Sequence, residues 1–188
     1  MTHNFTVAEE PINLPKGAVA KAKRFKVTWR NQTITALSQG KYRAYLYPVV
    51  TPAGVTVTAE APIDHPHHQS ITIGADHFNC YLPFSTNKHE EATYNFYINE
   101  TFQGRAPGRI VSISTDSTEH SERHLRIVQQ LEWQGPEEWG ANGRRILARE
   151  TRTYDIFPRD EANIIGYDNF KGMPTPDKKN YDSHYCFQ

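Results

Sequence analysis

A chain of 188 residues with 21 basic and 21 acidic side chains is long enough for one domain with a real core. It has no basic field to draw nucleic acid or an anionic membrane. Its aromatic content, 12%, argues against a disordered chain, and two cysteines, Cys80 and Cys186, are too few for a disulfide framework.

No apolar run approaches the roughly 20 residues that cross a bilayer, and the N-terminus has no apolar signal core. A cytosolic protein is the expectation. Residues 1–22 are polar, carry Pro11 and Pro15, and read as an N-terminal arm. From residue 23 the pattern is β. In "RFKVTWR", Phe25, Val27 and Trp29 alternate with Lys26, Thr28 and Arg30, and "QTITAL" follows two residues later. "KYRAYLYPVV" puts Tyr42, Ala44 and Leu46 on one face and Arg43, Tyr45 and Tyr47 on the other. This period of two predicts half-buried antiparallel strands. "TPAGVTVT" reads as a Pro-Gly turn feeding a short strand, and "SITIG", "TYNFYIN" and "GRIVSIST" are further strands.

"RHLRIVQQLEW" and "RRILARETRTYDIF" flank the turn-like "QGPEEWGANG" and predict a long hairpin. A helix competes for residues 122–133, since Leu125, Val128 and Leu131 recur every three positions. Leu125, Ile127, Leu131 and Trp133 alternate equally well, Gln129 excepted, and the β neighbours favour the strand. The result is an all-β, antiparallel β-sandwich over residues 23–165. Residues 166–188, with two prolines and no alternation, read as an unstructured tail.

The chemistry concentrates in Asp64-His65-Pro66-His67-His68. On an extended backbone His65 and His67 point one way, and Asp64 and His68 the other. Pro66 biases His65 toward that extended form. Two imidazoles so placed can share a substrate oxygen or, with Asp64, a divalent metal ion. A neutral imidazole is also a general base near pH 7. A polar corner whose rings bond the backbone is the competing reading. A third metal ligand would come from His77, His89, His120, His124 or Glu150. Arg43, Tyr45 and Tyr47, sharing a face, could line a sugar-binding floor. Asp76, His77 and Asn79 follow one short strand later. Glu150 and Arg152 share a face, as a catalytic carboxylate with its partner or as a surface ion pair. No GxGxxG, P-loop, GxSxG or HExxH occurs.

These blocks together resemble the family labelled PmoA-like, or "methane oxygenase PmoA". Arg43, Tyr45, Tyr47, Pro48, Thr51, Pro52 and Gly54 match its first block, and Asp64 to His68 its "DHPHH" block. His77 and Asn79 match a third block in part, where Cys80 and Tyr81 depart from it. Glu150 and Arg152 match its late "E-x-R" strand. The resemblance covers roughly residues 23–165. It implies a β-rich fold and a longer chain, of which this one would be a C-terminally truncated form with apolar sheet surface exposed and a tendency to self-associate. Methane oxidation does not carry over, because the membrane enzyme's subunit spans the bilayer and this chain has no span.

Three functions fit these residues. One is a carbohydrate-active enzyme of the epimerase, lyase or hydrolase type. By analogy with aldose epimerases it would be a partial galactose-mutarotase-like supersandwich, with His65, His67 and Glu150 catalytic and Arg43, Tyr45, Tyr47 and Asn79 holding a sugar-like substrate. The second is a metal-dependent oxygenase-like enzyme, as the family label implies. The third is a non-catalytic sugar-binding or accessory protein, or an inactive fragment.

Overall fold

The computed structural model describes residues 4–10, 23–137, 143–158 and 164–168. The chain forms β1 (Phe5–Glu10), β2 (Lys23–Trp29), β3 (Gln32–Gln39), β4 (Ala44–Leu46), β5 (Ile71–Thr72), β6 (Phe78–Ser85), β7 (Lys88–Tyr94), β8 (Arg109–Ser121), β9 (His124–Gln134), β10 (Ile146–Phe157) and β11 (Ile164–Asp168). No α-helix occurs among the described residues. The strands make a five-stranded sheet in order β1-β2-β3-β4-β5, a four-stranded sheet β11-β10-β9-β8, and the hairpin β6-β7. Every pairing within them is antiparallel.

The strand reading of residues 122–133 holds, with β9 directly paired to β8 and β10. Leu125, Ile127, Gln129, Leu131 and Trp133 all point inward. Gln129, the break in the hydrophobic pattern, reaches Ser112 Oγ and Thr115 Oγ1 at 3.4 Å, so its buried amide keeps partners. The β2-β3 link is the two-residue turn Arg30-Asn31, with both φ positive (48° and 64°). That is the twist-matched connection for a tight hairpin.

Two apolar clusters fill the interior. One joins Val27, Trp29, Ile34, Leu37 and Leu46 of the five-stranded sheet to Leu125, Ile127, Tyr154 and Ile156 of the four-stranded sheet. This is the sandwich proper. The other joins Ile73, Cys80, Tyr94 and Phe96 to Ile110, Leu131, Trp133 and Ala148. Along β10 the buried Glu150 and Arg152 fall between Ala148 of one cluster and Tyr154 of the other.

The structure differs from the sequence reading at several places. Part of the supposed arm is β1, an edge strand paired residue for residue with β2 and anchored by buried Phe5. Residues 166–168 of the supposed tail belong to β11, paired with β10. Residues 11–22 and the tail from 169 lie outside the described residues. "TYNFYIN" stops being strand at Tyr94. "TPAGVTVT" is a turn closed by Gly54 N–H to Thr51 O at 2.9 Å, followed only by an isolated bridge, Val50 to Thr56.

Candidate functional site

The histidine segment is not extended. Glu60 and Gln69 bridge across its base, and Ala61 N–H donates to His68 O at 2.8 Å. Between them run two consecutive turns, closed by His65 N–H to Pro62 O at 3.0 Å and His68 N–H to His65 O at 2.9 Å. Pro66 is the second residue of the later turn, where its fixed φ is favoured. The expectation that His65 and His67 share one side and His68 faces away is therefore corrected. All three rings gather, with His65 stacked on His68 (centroids 4.6 Å apart) and His67 edge-on to His68 at 4.4 Å. Asp64 Oδ2 lies 3.0 Å from His65 Nδ1. That bond holds the Asp64 carboxyl below the usual carboxylate range.

A second segment completes the cluster. Asn95 is fully buried and its Oδ1 accepts the N–H groups of Tyr97 (2.8 Å) and Ile98 (3.1 Å), an Asx turn that ends β7. The turn presents Tyr97, whose hydroxyl is 3.1 Å from His68 Nε2 and whose ring meets His67 at 5.2 Å. Gly74 lets this segment close in, since a Cβ there would come within 2.7 Å of Phe96 O.

Arg43 holds the two segments together from beneath. Its Nη1 donates to Phe96 O (3.0 Å) and Tyr97 O (2.5 Å), and its Nη2 to His67 O (2.9 Å) and Asn99 Oδ1 (2.6 Å). Burial pulls this guanidinium down to about 10, still a cation at neutral pH. His67 also sits below the ordinary histidine value, first because of its burial and then because His68, Arg43 and His65 oppose a second positive charge. At pH 7 it is a neutral imidazole.

Other expected site residues lie elsewhere. Arg43 is a buried staple, not part of an exposed floor. Tyr45 is also buried, and its hydroxyl donates to Glu60 Oε1 at 2.5 Å. Burial and that bond push the phenol up to about 12. The arginine beside the tyrosines is Arg24, which binds Glu60 at 2.7 Å, donates to Ser38 Oγ at 2.9 Å and lies over the Tyr47 ring. Glu150 is in the core with both oxygens engaged. Arg152 donates to Oε1 at 2.6 Å and to Oε2 at 2.9 Å, and Trp133 Nε1 to Oε2 at 2.8 Å. It is not a surface ion pair, being about 1% exposed. Asn79 takes a bond from Thr93, and His77 pairs with Asp76. His124 and His120 stack on each other on the four-stranded sheet, with His124 bonded to Asp155. Among the described residues no three His, Cys, Asp or Glu side chains are grouped to hold a metal ion, the set Asp64, His65 and His67 included. Tyr97, Asn99 and Asn95 escaped the sequence reading. The signal for them was the pair of asparagines in "YNFYIN".

No helix among the described residues is long and apolar enough to cross a membrane. Residues 24–169 match a family of unknown function, DUF6807, and the chain belongs to that family. No curated protein and no solved structure matches it.

Proposed function

We propose that this DUF6807 protein binds a small sugar-like molecule over its histidine–tyrosine cluster and moves protons on it. The carrying observation is the cluster itself: three imidazoles in mutual ring contact, two of them also meeting the Tyr97 ring, on two loops fastened by one buried arginine. Rigid support of this kind is what a working site needs and a polar corner does not. The flat faces suit the apolar face of a sugar ring, and the ring nitrogens and phenol suit its hydroxyls.

In the chemistry proposed, His67 is the base. It takes the proton of the anomeric hydroxyl as the bond from that carbon to the ring oxygen breaks. The His68–Tyr97 pair delivers a proton to the departing ring oxygen, and the reverse steps close the ring on either face. His65, oriented by Asp64, contacts the ligand. Glu150 has no part in this scheme. The oxygenase reading would need three convergent metal donors and is not carried forward. A second reading, binding without turnover, is favoured by the openness of the site, where Asp64 is 77% and His65 52% exposed.

Calorimetry with a panel of hexoses and pentoses, beside polarimetry of anomer exchange, tests both. Binding with accelerated exchange, each lost in His67→Ala, supports the enzyme. Binding without acceleration supports the second reading. No binding to any sugar rejects both.

A further inference from the structure

A narrow cleft beside the rings is bounded by Arg43, His67, His68, Gln69, Ser70 and Tyr97. Its free space is about 10 Å³, close to what one water molecule requires and far too little for a sugar ring. Three polar atoms of its lining residues are buried with no protein partner: Arg43 Nε, Gln69 Oε1 and Ser70 Oγ.

A guanidinium has five N–H donors. Four of Arg43's are used in joining the two loops, and Nε–H is the fifth. An orphaned donor on a buried cation is costly. The other two atoms state what would satisfy it. Nε–H needs an acceptor, Gln69 Oε1 needs a donor, and the Ser70 hydroxyl can serve as either. An oxygen that carries hydrogen is chemically able to answer each of the three demands. A carboxylate or phosphate oxygen would satisfy Arg43 but set lone pairs against Gln69 Oε1. An ammonium would do the reverse.

We infer that this cleft is a single-oxygen subsite, holding one water in the free protein and one hydroxyl group of the ligand in the complex. The ligand half rests on the sugar reading above, and the water half does not. The inference makes Ser70 and Gln69 specificity residues and names the ligand class as neutral polyhydroxyl, not uronate or sugar phosphate. An ordered water is displaced without loss only by a group that repeats its hydrogen bonds, and a hydroxyl does so.

The test has two arms on the full chain. A high-resolution crystal structure of the free protein should show one ordered oxygen within roughly 3.2 Å of Arg43 Nε and of at least one of Ser70 Oγ and Gln69 Oε1. Arg43 Nε bonded directly to Ser70 or Gln69, with no oxygen between, overturns the subsite. Calorimetry then compares neutral hexoses, their single-deoxy analogues and the matching uronates. One deoxy position should weaken binding about tenfold in the native protein and hardly at all in Ser70→Ala. If every deoxy penalty persists unchanged in Ser70→Ala, or if uronates bind better than the neutral sugars, the hydroxyl assignment is overturned. If the oxygen is present and no sugar binds, the sugar reading and the hydroxyl exchange fall while the water site stands.

Discussion

Arg43 and Arg152 are equally buried, each about 1% exposed, and are solvated by the protein in opposite ways. Arg152 faces a carboxylate. Glu150 meets it with two bonds, and Trp133 occupies Glu150's remaining side. The pair is neutral as a unit and sits on one strand between two apolar clusters. Arg43 has no carboxylate among its hydrogen-bond partners. Three backbone carbonyls and the Asn99 amide receive its protons. Carbonyl dipoles solvate a cation without cancelling its charge, so the field of Arg43 persists and reaches His67, helping to keep that ring neutral. One arginine consolidates a sheet. The other orders two loops and adds its field to the burial that keeps His67 neutral.

The comparison breaks most visibly at the carboxylate. Glu150→Gln leaves Arg152 as a buried cation without its counter-charge, and about 3–5 kcal/mol of stability should be lost. Replacing both, Glu150→Gln with Arg152→Met, should recover much of that loss. Urea unfolding of the three proteins checks it, and an equal loss in single and double variants would deny that charge compensation is what the pair supplies. Arg43→Met should cost less, about 2 kcal/mol, because its orphaned acceptors sit in loops that can open to water. Its signature is local. Hydrogen exchange should rise in residues 60–69 and 95–99 while amides of β9 and β10 keep their protection. Uniform loss of protection would make Arg43 a core residue like Arg152.

The Arg152 region was largely legible in the sequence and the Arg43 region was not, for a physical reason. In β9 and β10 each side chain's direction follows from a period of two, so Glu150 and Arg152 on one face could be read directly. Their burial could not, because alternation gives a face without saying what covers it. In residues 60–69 the direction of each ring depends on turn geometry. Pro66 looks alike in both readings, since its fixed φ suits an extended segment and the second position of a turn. The decision is made by ψ and by long-range partners, Glu60 with Gln69 and Arg43 with His67 O, none of which is local. Composition thus found the site's histidines, while their arrangement, and Tyr97 with them, needed the fold.

His67→Ala sharpens the comparison from the ligand side. The ring is partly exposed and its backbone, not its imidazole, receives the Arg43 bond, so stability at pH 7 should fall by under about 1 kcal/mol while sugar binding is lost. Its pH dependence carries a sign. The folded value lies below the ordinary one near 6.5, so the unfolded chain takes up the proton first. The native protein therefore loses stability as pH falls below about 6.5, until the folded ring also titrates. His67→Gln should flatten that part of the stability curve. A curve unchanged between native and variant would mean that the folded ring titrates like the unfolded one, with neither burial nor the charges around it acting on it.

The smallest expected effect comes from a third arginine, which has the geometry of Arg152 without its burial. Arg126 meets Asp155 with two bonds, at 2.8 and 2.9 Å, and His124 Nε2 reaches the same carboxylate at 2.7 Å. Water competes here, so the pair contributes little at neutral pH despite its bidentate form. Its trace is acid sensitivity. Arg126 first, and His124 after it, hold the Asp155 carboxyl down at about 2. A carboxylate lowered in the folded state adds stability that is complete above its unfolded value, near 4, and vanishes as pH falls through its folded one. Asp155→Asn should therefore lower the pH 7 melting temperature only slightly and remove an equally small decline between pH 4 and 2. A loss at pH 7 as large as that of Glu150→Gln would show that bidentate geometry, and not burial, sets what such a pair is worth in this fold.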